Sequence, residues 1–196
     1  MVESTGMNTY QRLAVRLHEL GMITRQKADE SVLYIADWGE PHPSRRAEEL
    51  TGVLEVCAVA LQAHGEDVDF AEHAYAGIFE DAERMIGGAI AITDVDLVGE
   101  IGSPRALDFK VNGEVKSWWI EQDSDDYLDL GAIEEGISDL VPGGDDPRVF
   151  HCVPGDDACA DDYYLLATPA QAATLRDEFD LRIKVRGSDG APVHEQ

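Results

Sequence analysis

Leu107-Asp108-Phe109-Lys110-Val111-Asn112-Gly113-Glu114-Val115-Lys116-Ser117-Trp118-Trp119-Ile120 is the stretch that decides the fold class. Two runs rich in β-branched and aromatic residues flank Asn112-Gly113. Asn-Gly accepts the positive φ angles of a two-residue hairpin turn. With that loop Val111 faces Glu114, Phe109 faces Lys116 and Leu107 faces Trp118. Cross-strand partners share a face. Leu107, Phe109, Val111, Trp118 and Ile120 then make the apolar face, and Trp119 lies opposite. A different loop length would change this register.

Around the hairpin the chain keeps a period of two. Ile90 to Val98 reads as a strand, with Val95 and Leu97 alternating against Asp94 and Asp96. Downstream, Leu130, Ile133, Ile137 and Leu140 line one side of a short helix that Pro142-Gly143-Gly144 ends. Val149 to Val153 and Tyr163 to Ala167 read as strands joined by an acidic loop. Thr168-Pro169 starts a last helix, with Gln171 at the capping-box position and Ala172, Leu175 and Phe179 facing the core. Leu181, Ile183 and Val185 suggest a final strand, and the tail from Gly187 is expected to be mobile.

Upstream of residue 88 the periodicity is helical. Leu13, Leu17 and Leu20 precede the stop signal Gly21. Thr24 caps a second helix through Val32 and Ile35, ended by Gly39 and Pro41. Pro43 and Ser44 open a third, whose stripe Leu50, Leu54, Cys57 and Leu61 is closed by Gly65. Asp69 and Glu72 resemble a capping box for a fourth, carrying Phe70, Ala74, Ile78 and Met85 and ended by Gly87-Gly88. The expected architecture is α+β. A helical part (1–88) packs with a mainly antiparallel sheet carrying two helices (89–186), followed by a tail (187–196).

Composition limits function. The chain has 196 residues, and 44% of them are hydrophobic, enough for a core. Its net charge is −25, from 40 Asp and Glu against 15 Lys and Arg. Such a charge repels phosphate backbones and anionic membranes, which argues against direct nucleic-acid or membrane binding. It favours salt-sensitive association with a basic protein partner. Two other readings stay open: charge kept for solubility alone, and adaptation to high salt, since lysine is confined to Lys27, Lys110, Lys116 and Lys184. Met1 to Tyr10 lacks the pattern of a signal peptide, and Val53 to Ala63 is too short to span a bilayer. The sparse, odd set Cys57, Cys152 and Cys159 fits a reducing cytoplasm.

No motif carries an obvious chemistry. There is no Gly-x-Ser-x-Gly elbow, no His-Glu-x-x-His pair and no Walker loop. His151 with Cys152 and Cys159 matches no zinc spacing. Asp123, Asp125, Asp126 and Asp129 lack the spacing and central glycine of a calcium loop. No catalytic residue, metal or cofactor is therefore assigned, although a small enzyme with an acidic pocket remains an alternative. What does stand out is one-sided charge. From Glu121 to Asp162, Arg148 alone opposes a long series of carboxylates. The expected partner-binding set is Trp119, Glu121, Asp123, Asp125, Asp126 and Asp129, together with Asp156, Asp157, Asp161 and Asp162. Asp123 and Asp125 can accept bidentate hydrogen bonds from arginines.

The run Leu107 to Gly113, then Ser117-Trp118-Trp119-Ile120-Glu121-Gln122, then Asp125-Asp126-Tyr127-Leu128-Asp129, resembles immunity proteins of bacterial polymorphic toxin systems. Tyr164 to Pro169 is also similar, and the likeness spans about Leu107 to Phe179. It implies a cytosolic, non-catalytic inhibitor that covers the active site of one cognate toxin, often a basic nuclease. Its carboxylates would stand where substrate phosphates bind. A nucleic-acid mimic directed at a DNA-binding protein shares this charge logic and remains an alternative.

Overall fold

The computed structural model describes residues 6–122, 124–155 and 161–187. It is an α+β fold. The helices are α1 (Thr9–Glu19), α2 (Arg25–Tyr34), α3 (Arg46–Val56), α4 (Ala71–Ile86), α5 (Leu130–Gly136) and α6 (Pro169–Phe179). The strands are β1 (Ala60–His64), β2 (Ile92–Val98), β3 (Arg105–Val111), β4 (Glu114–Ile120), β5 (Val149–Pro154) and β6 (Asp161–Ala167). Capping chemistry sets several helix starts. Asn8 with Gln11 and Thr168 with Gln171 form reciprocal capping boxes, and the Thr24 hydroxyl accepts from Lys27 N–H. No helix among the described residues is long and apolar enough to cross a membrane.

The strands form two antiparallel three-stranded sheets, ordered β1-β6-β5 and β2-β3-β4. The Asn112-Gly113 turn has positive φ at both residues, and Val111↔Glu114, Phe109↔Lys116 and Leu107↔Trp118 pair in the expected register. The predicted inner face is buried, and Trp119 is 64% exposed on the other side.

The β1-β6-β5 sheet is buried on both faces, and alternation along β6 divides the core. Leu165 and Ala167 pack with α1, α3 and α6, while Tyr164 and Leu166 pack with α4, α5 and the β2-β3-β4 sheet. Between the sheets Phe79 of α4 meets Phe109 and Trp118 at ring-centroid distances of 4.6 and 5.3 Å.

Three local expectations are corrected. The third helix does not run through Leu61. It ends at Val56, where Ala58 adopts φ +56°, Ala58 N–H donates to Glu55 O (2.7 Å) and Val59 N–H donates to Leu54 O (3.0 Å). This is the Schellman arrangement with alanine in the place glycine usually takes, so the chain turns into β1 inside the part expected to be helical. Asp69 does not cap α4. Phe70 is the N-cap, with no side-chain bond, and it is 61% exposed; the buried face keeps the expected Ile78, with Ala74 and Met85 partly buried, and adds Tyr75, Phe79 and Ala82. Residues 181–185 bury Leu181 and Ile183, but they form no strand. They make one bridge, from Lys184 N–H to Cys152 O at 2.8 Å, after which Arg186 N–H turns to the His151 ring.

Candidate acidic interface

Two of the acidic segments predicted to bind converge at one end of the β1-β6-β5 sheet. Residues 125–128 lie along residues 65–71. Val68 N–H donates to Asp126 O and Ala71 N–H to Asp125 O, both at 3.1 Å, and Leu128 N–H donates to Gly65 O at 2.9 Å. One residue before Gly65, His64 pairs across the strands with Asp161, and their side chains meet through Nδ1 and Oδ1. The Tyr164 hydroxyl donates to Leu130 O at 3.5 Å, holding the start of α5 to the same end.

Within this framework the predicted residues separate by role. Asp129 caps α5, accepting from Ala132 N–H (3.0 Å) and from Glu121 N–H (2.8 Å). Asp125 accepts from Arg105 Nη1 at 2.6 Å, and the Arg105 side chain is only 10% exposed, so this carboxylate neutralises a buried charge. Asp161 is engaged by His64. Asp162 is half-buried and accepts from Gly155 N–H at 3.3 Å; burial pushes its carboxyl above the usual range. Glu121, Asp126 and Trp119 are exposed. Asp123, Asp156 and Asp157 lie outside the described residues.

The structure adds acids outside the expected set, of which the sequence reading assigned Asp69 and Glu72 to a helix start. Glu66, Asp67, Asp69 and Glu72 are all exposed beside the 125–128 segment. No Lys or Arg occurs from His64 to Glu83 or from Glu121 to Pro147. Exposed Phe70 and Tyr127 stand among these carboxylates. The missing signal is the pairing of residues 65–71 with 125–128, which brings together segments far apart in the chain. Trp119 borders the same region. Its cross-strand row, Val98–Ala106–Trp119, is on the outer face of β2-β3-β4. Gly102 N–H, in the loop beside it, donates to Gln122 O at 3.4 Å.

One mixed cluster lies under α5. Ligand-type atoms of Glu134, Cys152 and Asp162 all lie within 4.8 Å of one another. Lys184 Nζ stands 2.7 Å from Glu134 and supplies a positive charge there. Burial pushes the Cys152 thiol up to about 12, so it is protonated and a poor nucleophile at neutral pH. His151 does not share this cluster, since neighbouring strand residues face opposite sides. Its Nδ1 accepts from Arg186 N–H (3.0 Å) and its Nε2 donates to Ala167 O (3.0 Å), which fixes one neutral tautomer. Burial holds the ring's pKa down to about 4. Cys159 is outside the described residues. Comparison with protein-family models, with curated proteins and with solved structures finds no match.

Proposed function

We propose that the protein is a binding protein whose acidic end engages and blocks a basic partner, in the manner of an immunity protein or antitoxin directed at a cognate toxin. The observation that carries this reading is the convergence of residues 64–72 with 121–129, exposing Glu66, Asp67, Asp69, Glu121 and Asp126 with Phe70 and Tyr127 and no exposed lysine or arginine in either segment. Like charges gathered this closely repel one another, and a cationic surface relieves that repulsion. The acids would steer encounter, and the exposed aromatics would supply buried contact area. If the partner is a nuclease, carboxylates here take the place of substrate phosphates against its arginines.

The test is co-expression with the toxin candidate encoded beside the gene, together with association kinetics. Growth protection is expected, with association slowing steeply as salt rises and dissociation changing less. Replacing Glu66, Asp67 and Asp126 together by Lys should abolish protection while the fold survives. A folded triple variant that still protects, with association indifferent to salt, refutes the assignment.

A further inference from the structure

Four strands lie at sheet edges, and three of those edges are guarded. β2 is bulged between Thr93 and Asp96, with Asp94 at φ +56°, and its Ile92 N–H is taken by the Glu83 carboxylate. β4 carries Glu114 and Lys116, which pair with each other, and Lys116 also pairs with Asp139. β5 is covered by Lys184, whose N–H donates to Cys152 O. Charges, bulges and covering segments are the usual means of keeping a foreign strand off an edge. Among the described residues β1 has none of them. Its sequence is Ala-Leu-Gln-Ala-His, and β6 is its one neighbour among the described strands.

The free edge can be read from the ladder. Leu166 N–H donates to Val59 O at 3.0 Å, so residues 59 and 166 form a hydrogen-bonded pair. Such pairs alternate along an antiparallel ladder, which gives Leu61↔Tyr164 and Ala63↔Asp162 the same character. The N–H and C=O groups of Ala60, Gln62 and His64 therefore point away from β6. Those of Ala60 and Gln62 face a groove of about 460 Å³ lined by Glu55, Ala60, Gln62, Asp81, Arg84 and Met85. Its floor is strand backbone, and its walls come from the end of α3 and from α4.

We propose that this groove takes up an extended segment of a basic partner, which adds to β1 as a further antiparallel or parallel strand. The proposal rests on the acidic-interface reading and extends it. β1 runs from Ala60 to His64 and leads into the acidic segment that begins at Glu66, so one continuous surface offers backbone hydrogen bonds and then carboxylates. In strand addition the main chain supplies affinity and alternate side chains supply specificity. Charge selects the occupant. Glu55 and Asp81 line the walls together with Arg84, which pairs with Asp81 at 2.7 Å and leaves Glu55 as the excess charge, and a second copy of a chain of net charge −25 would be repelled.

The probe is a capped peptide alternating lysine and valine, about eight residues long, a strand's length. A glutamate–valine peptide of equal length is the control. Amide hydrogen exchange of the whole protein is read by NMR. In the free protein the Leu61 and Ala63 amides should be protected and those of Ala60, Gln62 and His64 should exchange quickly. The lysine peptide should slow the latter three by about tenfold or more, and the glutamate peptide should not. Gln62→Pro, which removes an outward N–H and spares the β6 ladder, should abolish that binding; if this variant does not fold, the exchange measurement on the unaltered protein decides. Strand addition is overturned if the three amides are already protected in the free protein, whether by the chain itself or by a dimer seen in sedimentation. It is also overturned if the lysine peptide fails to bind, or binds while perturbing only Glu66, Asp67 and Asp126. That last result leaves the acidic interface standing, and the growth-protection assay tests the interface separately.

Discussion

Replacing Gly136 by alanine sets two physical rules against each other. Gly136 is the last residue of α5 and has φ −84°, ordinary for any L-residue, so helix propensity alone predicts a gain of at most about 1 kcal/mol. The structure predicts a loss. A Cβ on Gly136 would fall 2.5 Å from Cδ2 and Nε1 of the Trp118 indole, and closer still to Cε2. The indole has no free direction to move: Phe79 and Phe109 pack edge-on against it at 5.3 and 5.1 Å, and its Nε1–H donates to Asp139 at 3.1 Å. Overpacking of this kind costs about 1–3 kcal/mol. Losing the indole hydrogen bond adds roughly 1 kcal/mol. Less the propensity gain, a net destabilisation of about 2 kcal/mol follows, or a fall in Tm of roughly 4–8 °C for a chain of this size. Urea unfolding followed by tryptophan fluorescence and circular dichroism should show a lower midpoint at unchanged slope. In a Trp118→Leu background the same substitution should become neutral or stabilising. A Gly136→Ala protein more stable than the parent would refute the close packing of α5 on β4.

Other outcomes follow from the same structure. Asp125→Ala should cost about 1–3 kcal/mol in chemical denaturation because it strands the Arg105 guanidinium, whereas exposed Asp126→Ala should stay within about 0.5 kcal/mol. Trp119→Ala should likewise leave stability within about 0.5 kcal/mol, yet weaken partner binding by about 2 kcal/mol or more in calorimetry if the outer face of β4 joins the interface. Stability should fall as pH drops from about 6.5 to about 4, because the unfolded His151 takes up a proton across this window and the folded one does not. The contribution is about 3 kcal/mol at most. His151→Gln should remove that part of the pH dependence while lowering stability at neutral pH, as followed by urea titrations at several pH values.

The sequence made the hairpin register legible because Asn112-Gly113 has local chemistry that permits few turns, and alternation then assigns every side chain from Leu107 to Ile120 to a face. The Thr168–Gln171 capping box of α6 was legible for the same reason, whereas the Asn8–Gln11 box of α1 emerged only in the structure. Where the deciding interaction was unusual or distant, the reading failed. Gly21 announces the end of α1, but Ala58 performs the same left-handed turn after α3 with no glycine to mark it, so β1 looked like more helix. Among the acids, composition located the charge but could not sort it. Asp125, Asp129 and Asp161 are tied to Arg105, Glu121 and His64, contacts that only the folded chain creates. The gathering of residues 66–72 beside 125–128 was not legible because the paired positions lie more than fifty residues apart.

The division of β6 between two cores bears on how the chain can be cut. A break near residue 88 would leave β1 in the first fragment without β6, its one strand partner among the described residues, and α1 and α3 without the Leu165 and Phe179 side chains they pack against. The second fragment would hold β6 with one face stripped of α1 and α3 and the other of α4. Neither piece buries a complete apolar layer, so the two should aggregate or stay unfolded apart and regain structure only when mixed. Such a chain should unfold as a single cooperative unit, in which a partner gripping β1 would be felt in both cores at once.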